Sequence, residues 1–149
     1  MTTNNDSTET RLPPLLRQVW FNLNKTFRRR IAHLNITPDQ FTTLRWISEK
    51  STEGLIQRQL VELMSSDPNT IVSILKRLEA ADLVERKQLP DDRRVYQLSL
   101  TPKGKTVLAQ ALPLSLDLQE EVLSLLSDKQ RNDLSNSLNT LIKATEKLL

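Results

Sequence analysis

Residues 56–104, IQRQLVELMSSDPNTIVSILKRLEAADLVERKQLPDDRRVYQLSLTPKG, decide the fold because their hydrophobic period changes once, near Ala81. Before that point apolar residues recur at steps of three and four, the period of a helix. Ile56 to Met64 reads as a short helix with Leu60, Leu63 and Met64 inward. Ser65-Ser66-Asp67-Pro68 then forms a tight turn. Asp67 is an N-cap and Pro68 suits the first position of a longer helix, to about Ala81, whose buried stripe is Ile71, Ile74, Leu75 and Leu78. Beyond Ala81 the period drops to two. Val84 to Leu89 and Arg94 to Leu100 read as strands, with Tyr96, Leu98 and Leu100 alternating against Val95, Gln97 and Ser99. Pro90-Asp91-Asp92-Arg93 is the polar turn between them. Two strands alone are marginal in water, so this hairpin must lean on the helices. Thr101-Pro102 opens the next helix.

A short helix, a tight turn, a longer helix and a hairpin make a winged helix-turn-helix. Working outward, Leu12, Leu15, Leu16, Val19, Leu23, Phe27, Ile31 and Leu34 predict an amphipathic helix over about 14–34, with Pro13 and Pro14 at its mouth and Asn35 as its stop. Thr37-Pro38-Asp39-Gln40 is a capping box for a second helix to about Glu49, with Phe41, Leu44 and Ile47 inward. Residues 51–55 turn around Gly54. After the hairpin a fifth helix runs to about Leu126, bent at Pro113. Ser127-Asp128-Lys129-Gln130 caps a last helix carrying Leu134, Leu138, Leu141, Thr145 and Leu148. The expected class is mainly α with a small β-hairpin wing. The expected divisions are a disordered tail at 1–10, an N-terminal dimerisation helix at 11–34, the winged helix-turn-helix at 37–104 and C-terminal dimerisation helices at 105–149.

With one face of the 67–81 helix turned to the core, the other presents Asn69, Thr70, Ser73, Lys76 and Arg77. Asn and Arg make bidentate contacts to adenine and guanine edges in the major groove, and Val72 suits a thymine methyl. The wing region (84–100) holds Arg86, Lys87, Arg93 and Arg94 beside Asp91 and Asp92. An arginine at a hairpin tip can enter a narrow minor groove, where negative potential is enhanced. Gln57 and Arg58, on the short helix, complete the candidate DNA-contacting set. A solvated polar face and a mixed-charge turn are the plainer readings of the same residues. Protein binding without DNA specificity is the alternative function.

The 149 residues carry a net charge of +3, with two glycines, seven prolines and no cysteine. The absence of cysteine excludes a disulfide scaffold, thiolate metal site or thiol switch and fits the cytoplasm, the expected location. One histidine, His33, makes a transition-metal sensor a poor fit. Neither a signal peptide nor a membrane span is expected. There is no phosphate loop, nucleophile motif or paired-carboxylate signal, so neither enzyme activity nor a cofactor is expected.

Residues 55–104 resemble the DNA-binding core of the MarR (multiple-antibiotic-resistance regulator) family, in QRQLVELMSSDPNTIVSILKRLEAADLVERK and then PDDRRVYQLSLTPKG. The family's wing signature, Asp-Xaa-Arg, falls on Asp92 and Arg94. Its hydrophobic-Thr-Xaa-Xaa-Gly closure falls on Leu100, Thr101 and Gly104. TPDQFTTLRWI, residues 37–47, is similar to the family's second helix, and the flanking helices match in place and length. Ile56 stands where a Thr or Ser cap is usual, and Ser73 where many members carry a larger or basic residue. Pro113 interrupts a helix that is usually unkinked.

The resemblance implies that Arg94 enters the minor groove with Asp92 orienting it, and that Asn69, Thr70, Ser73 and Arg77 face the major groove. It implies a homodimer paired through the terminal helices. Leu15, Val19, Leu23, Leu134, Leu138, Leu141 and Leu148 are candidates for that interface, since one small lobe has no obvious way to bury them all. Two-fold pairing would place recognition helices ~34 Å apart on a pseudo-palindromic duplex. The resemblance also implies a small effector, often an anionic aromatic, for which Arg17, Trp20, His33, Arg45 and Trp46 are the candidate contacts. A packing role for the two tryptophans is the simpler alternative. Arg28-Arg29-Arg30 suits an acidic ligand or phosphates, or equally a solvated helix end. The expected function is a ligand-responsive repressor.

Overall fold

A computed structural model describes residues 10–149. The expected tail at 1–10 therefore lies, apart from Thr10, outside the described residues. Six α-helices and one antiparallel hairpin follow in the expected order. They are α1 (Leu12–Arg30), α2 (Pro38–Glu49), α3 (Gln57–Leu63), α4 (Pro68–Ala80), β1 (Val84–Leu89), β2 (Asp92–Leu100), α5 (Pro102–Leu123) and α6 (Asp128–Glu146). The chain divides into two compact units, one ending at Leu114 and the other spanning Ser115–Leu149. The first takes in α1 and the hairpin with the helices between them.

Capping chemistry explains where most helices start. At α2, Thr37 Oγ1 accepts from the Gln40 N–H (3.2 Å) while Gln40 Oε1 accepts from the Thr37 N–H (3.0 Å). Ser127 and Gln130 repeat the same reciprocal pair at α6. Asp67 caps α4 by accepting from the Thr70 N–H at 3.0 Å. Each pair satisfies backbone donors that a helix start otherwise leaves unmet. At α3, where Ile56 has no capping side chain, Gln59 Oε1 accepts from the Ile56 N–H at 3.0 Å and supplies half a box.

The core of the first unit is the predicted stripe set with small shifts. Phe41, Leu44, Ile47, Leu60, Ile71, Leu75 and Leu78 are buried, joined by Ile31, Ile36, Leu55, Leu83 and Leu98. Ile74, Leu63 and Met64 are only half-buried, at the edges of their stripes. Phe27 and Phe41 meet edge-to-face at 4.9 Å, locking α1 onto α2.

Two expectations need correction. The first helix does not run unbroken to 34. It ends at Arg30, and a 3₁₀ turn over Ala32–Leu34 follows. Ile31, at the break, is fully buried, and Asn35 in the left-handed region (φ 57°) stops the turn. The tighter winding places Ile31 and Ile36 in the core where a continued α-helix would carry the chain past it. The second strand begins at Asp92, not Arg94. Leu89 pairs with Asp92 and Gln88 with Tyr96, so the turn is only Pro90-Asp91 and residues 93–95 bulge out of the ladder. Pro113, the site of the expected bend, lies inside α5.

The hairpin does lean on its neighbours. The Leu98 N–H donates to the Leu55 carbonyl at 2.8 Å, and Ile56 bridges to Gln97. The chain before α3 thus adds a fragment of third strand. Gly54 permits this approach, since its φ is +75° and a Cβ there would run into the Gln97 amide. At the far end, Thr101 Oγ1 donates to the Asp82 carbonyl at 2.6 Å and accepts from the Gly104 N–H at 2.9 Å. A Cβ on Gly104 would overlap the Leu83 carbonyl. The Thr-Xaa-Xaa-Gly spacing is therefore a backbone-to-backbone seam between the end of α4 and the start of α5.

Candidate nucleic-acid interface

α4 sorts its residues as the wheel requires. Ile71, Leu75 and Leu78 are buried, while Asn69, Thr70, Ser73, Lys76 and Arg77 are exposed. Val72 is half-buried. Thr70 is less free than its exposure suggests, because its hydroxyl donates to Asp67 Oδ2 at 2.6 Å. Hydrogen bonds from the Thr70 hydroxyl, and then from its N–H, hold the Asp67 carboxyl below its ordinary pKa. The start of α4 is thus fixed by its own cap, with Asn69, Ser73, Lys76 and Arg77 left outward.

At the wing tip the 93–95 bulge turns Arg94 into solvent, its side chain 91% exposed. Asp92 holds it from two sides. Asp92 Oδ1 accepts from the Arg94 N–H (3.0 Å) and Nε (3.1 Å), and Oδ2 accepts from Nη2 at 3.4 Å. These bonds, the side-chain ones first, lower the Asp92 pKa. The guanidinium is therefore presented at a defined angle while most of its surface stays available. Arg93 is exposed beside it.

Arg86 and Gln57 behave differently from their sequence reading. Arg86 does not join the free wing cations. It forms an ion pair with Glu79 at the end of α4. Its Nη1 donates to Gln57 Oε1 at 3.2 Å, and its guanidinium lies over the Tyr96 ring, 5.1 Å from the centroid. Gln57 is accordingly half-buried and occupied, whereas Arg58 is exposed. Sequence reasoning missed this cluster, yet a signal was present. Arg86 has the same strand parity as buried Val84 and pairs with buried Leu98, so period-two reasoning places it on the inner face.

The candidate effector contacts lie on α1, on the 3₁₀ turn and on α2. Trp20 is 62% exposed, Arg17 and His33 are exposed, and Arg45 and Trp46 are half-buried on α2. Arg45 Nε pairs with Glu49 at 2.8 Å. No hydrogen bond, ion pair or ring contact joins any two of the five. Among the described residues no cluster of three or more His, Asp or Glu suits a metal ion, and no helix is long and apolar enough to cross a membrane.

The candidate interface residues remain uncovered within one chain. Leu15, Val19, Leu134, Leu141 and Leu148 are exposed, and Leu23 and Leu138 are half-buried.

Residues 36–96 match the family model described as "MarR family". The transcriptional regulator HosA of Escherichia coli O111:H- is 33% identical over 97 residues, covering 65% of this chain and 70% of that protein. The chain belongs to the MarR family. As a MarR-family member it is a DNA-binding transcriptional regulator with a winged-helix lobe. Its fold matches the S. aureus MepR–DNA complex with a TM-score of 0.85 at 19% identity, covering 93% of this chain and 99% of that one. The transcriptional repressor CouR, bound to a 23-mer DNA duplex, matches with a TM-score of 0.81 at 27% identity, covering 90% and 94%.

Proposed function

We propose that this MarR-family chain is a homodimeric repressor that reads a pseudo-palindromic operator with α4 in the major groove and Arg94 in the adjacent minor groove. The observation that carries the proposal is the Arg94 geometry. An exposed cation is held by a carboxylate two residues away, at the tip of a hairpin that follows a helix whose outer face is polar and unburied. Holding the guanidinium in place reduces the entropy lost when it enters a groove. Asn69, Ser73 and Arg77 read base edges, while Lys76, Arg58 and Arg93 neutralise phosphates. Thr70 serves chiefly as the cap partner of Asp67. CouR, a repressor by name and structurally similar over most of the chain, supports repression as the mode.

Leu15, Val19 and Leu23 with Leu134, Leu138, Leu141 and Leu148 form the dimer contacts, and a small anionic aromatic bound near Trp20, Arg17, His33, Arg45 and Trp46 shifts the spacing of the two lobes. The protein acts in the cytoplasm and carries no enzymatic activity of its own.

Duplex binding measured across salt concentrations, for the native chain and Arg94→Ala, tests the reading. Affinity should fall steeply as salt rises, in proportion to phosphates neutralised. Arg94→Ala should cost ~1–3 kcal/mol at the operator, the scale of a good groove contact. Unchanged affinity in a folded Arg94→Ala dimer contradicts the wing assignment. Binding that ignores salt favours a protein partner instead.

A further inference from the structure

We infer that Arg86 is a positioning residue, setting the wing against the recognition helix so that both engage one duplex; the inference rests on the groove reading above. Three partners from three elements meet on its one guanidinium. Nε faces Glu79 of α4, Nη1 donates to Gln57 of α3 at 3.2 Å, and Cζ lies over the Tyr96 ring of β2, 5.1 Å from its centroid. Arg86 itself belongs to β1, where it pairs with Leu98. Its side chain is only 20% exposed and that of Glu79 33%.

Only arginine serves all three directions together. Its fork presents donors at fixed angles, and its flat face stacks on an aromatic ring. A lysine ammonium gathers its three donors on one nitrogen and has no flat face to lay on a ring. A partly buried ion pair is also a poor means of gaining stability, since apolar residues of like volume often stabilise as well or better. What the pair adds is direction. Tyr96 is the first residue to rejoin the ladder after the 93–95 bulge, so the ring under Arg86 sits at the root of the segment that carries Arg94. Glu79 lies two residues beyond Arg77, at the end of the helix that reads the major groove. The cluster therefore joins the two reading elements at their bases and leaves their working surfaces free.

Such a joint makes the two contacts cooperative. With the angle fixed, seating α4 presents Arg94 to the minor groove at a high effective concentration. With the joint loosened, the wing must be ordered anew on binding, and Arg94 contributes less. Its own removal then matters less too.

A double-mutant cycle on the full-length dimer provides the test. Glu79→Leu combined with Arg86→Met replaces the pair without stranding a charge. It is measured with and without Arg94→Ala, by operator affinity, affinity for a random duplex at the same salt, and thermal midpoint. Removing Arg94 should cost about tenfold or more in the native background and under ~threefold in the apolar-pair background. Operator affinity should fall about tenfold in the apolar-pair variant while random-duplex affinity moves less than ~threefold. A merely structural role would shift the midpoint but leave the cost of Arg94→Ala the same in both backgrounds, and that result overturns the inference. Unchanged operator affinity overturns it as well. If Arg94→Ala is harmless in the native background, the groove reading fails first and this inference falls with it. Should the apolar-pair variant not fold, Arg86→Lys and Gln57→Met carry the same cycle. Each should shrink the cost of Arg94→Ala, and full additivity in both counts against the joint.

Discussion

The helix-turn-helix segment and the two ends of the chain treat their leucines in opposite ways. Leu44, Leu60, Leu75 and Leu78 are fully buried by the chain itself, whereas Val19 is 56% exposed, Leu134 41% and Leu148 83%. Both regions are built of amphipathic helices, some well capped (α2, α4, α6) and some without a capping side chain (α1, α3), so local propensity does not separate them. The difference is that the first region closes on itself, while α1 and α6 each carry apolar residues that the chain leaves uncovered. Scattered exposed leucines need no explanation, but contiguous ones at helical spacing mark a surface made for another surface. The occupant proposed for these surfaces is a second copy of the chain.

That contrast is sharpest in the core. Leu75→Ala should destabilise the protein by ~2–5 kcal/mol, the usual cost of a cavity at a fully buried leucine, and Leu148→Ala by under ~0.5 kcal/mol. Denaturant unfolding of both variants checks it, and equal effects would erase the distinction. Next comes the seam between the end of α4 and α5. Gly104→Ala should cost roughly 2–3 kcal/mol, because the added methyl meets backbone and not a yielding side chain. A neutral Gly104→Ala in the same assay would show that the seam can open at no cost. A smaller effect is expected at the ends. Val19→Asp and Leu141→Asp should each weaken dimer association by ~1–2 kcal/mol while leaving the helix content of the lobe intact. Sedimentation at several concentrations reads this, and an unchanged dimer would move the interface elsewhere.

The smallest effect belongs to the wing. The hydrogen bonds from Arg94 depress the pKa of Asp92, so the contact is intact above the ordinary carboxylate range and is lost only as pH falls through the lowered value. Between pH 5 and 8 the Arg94 Nε resonance should therefore not titrate with Asp92. Asp92→Asn should weaken operator binding only a few-fold, less than Arg94→Ala. A titration of that resonance near neutrality would mean that another group holds the arginine.

Much of this was legible beforehand because caps and periodicity are local. Thr37, Asp67 and Ser127 each start a helix through a side chain three residues away from its partner. The break at Ile31 was not legible, since an apolar residue that continues the stripe gives no sign that the winding tightens around it. The true start of β2 was hidden for a similar reason. Asp92 and Arg93 read as turn residues by polarity, yet the strand has already begun at Asp92, and Arg93 lies in the bulge that follows. Arg86 was misread by charge. In sequence it is one cation among four near the wing, and only its inward parity beside Val84 separates it from Arg93 and Arg94. No hydrogen bond, ion pair or ring contact joins the candidate effector residues, and sequence offers no rule for bringing distant helices together.

Selecting bound sequences from a random duplex pool with the full-length protein tests the central claim most directly. A two-fold symmetric motif with half-sites about 10 bp apart is expected. Enrichment of a motif without symmetry, or no enrichment at all, contradicts a dimer that reads DNA through α4 and the wing.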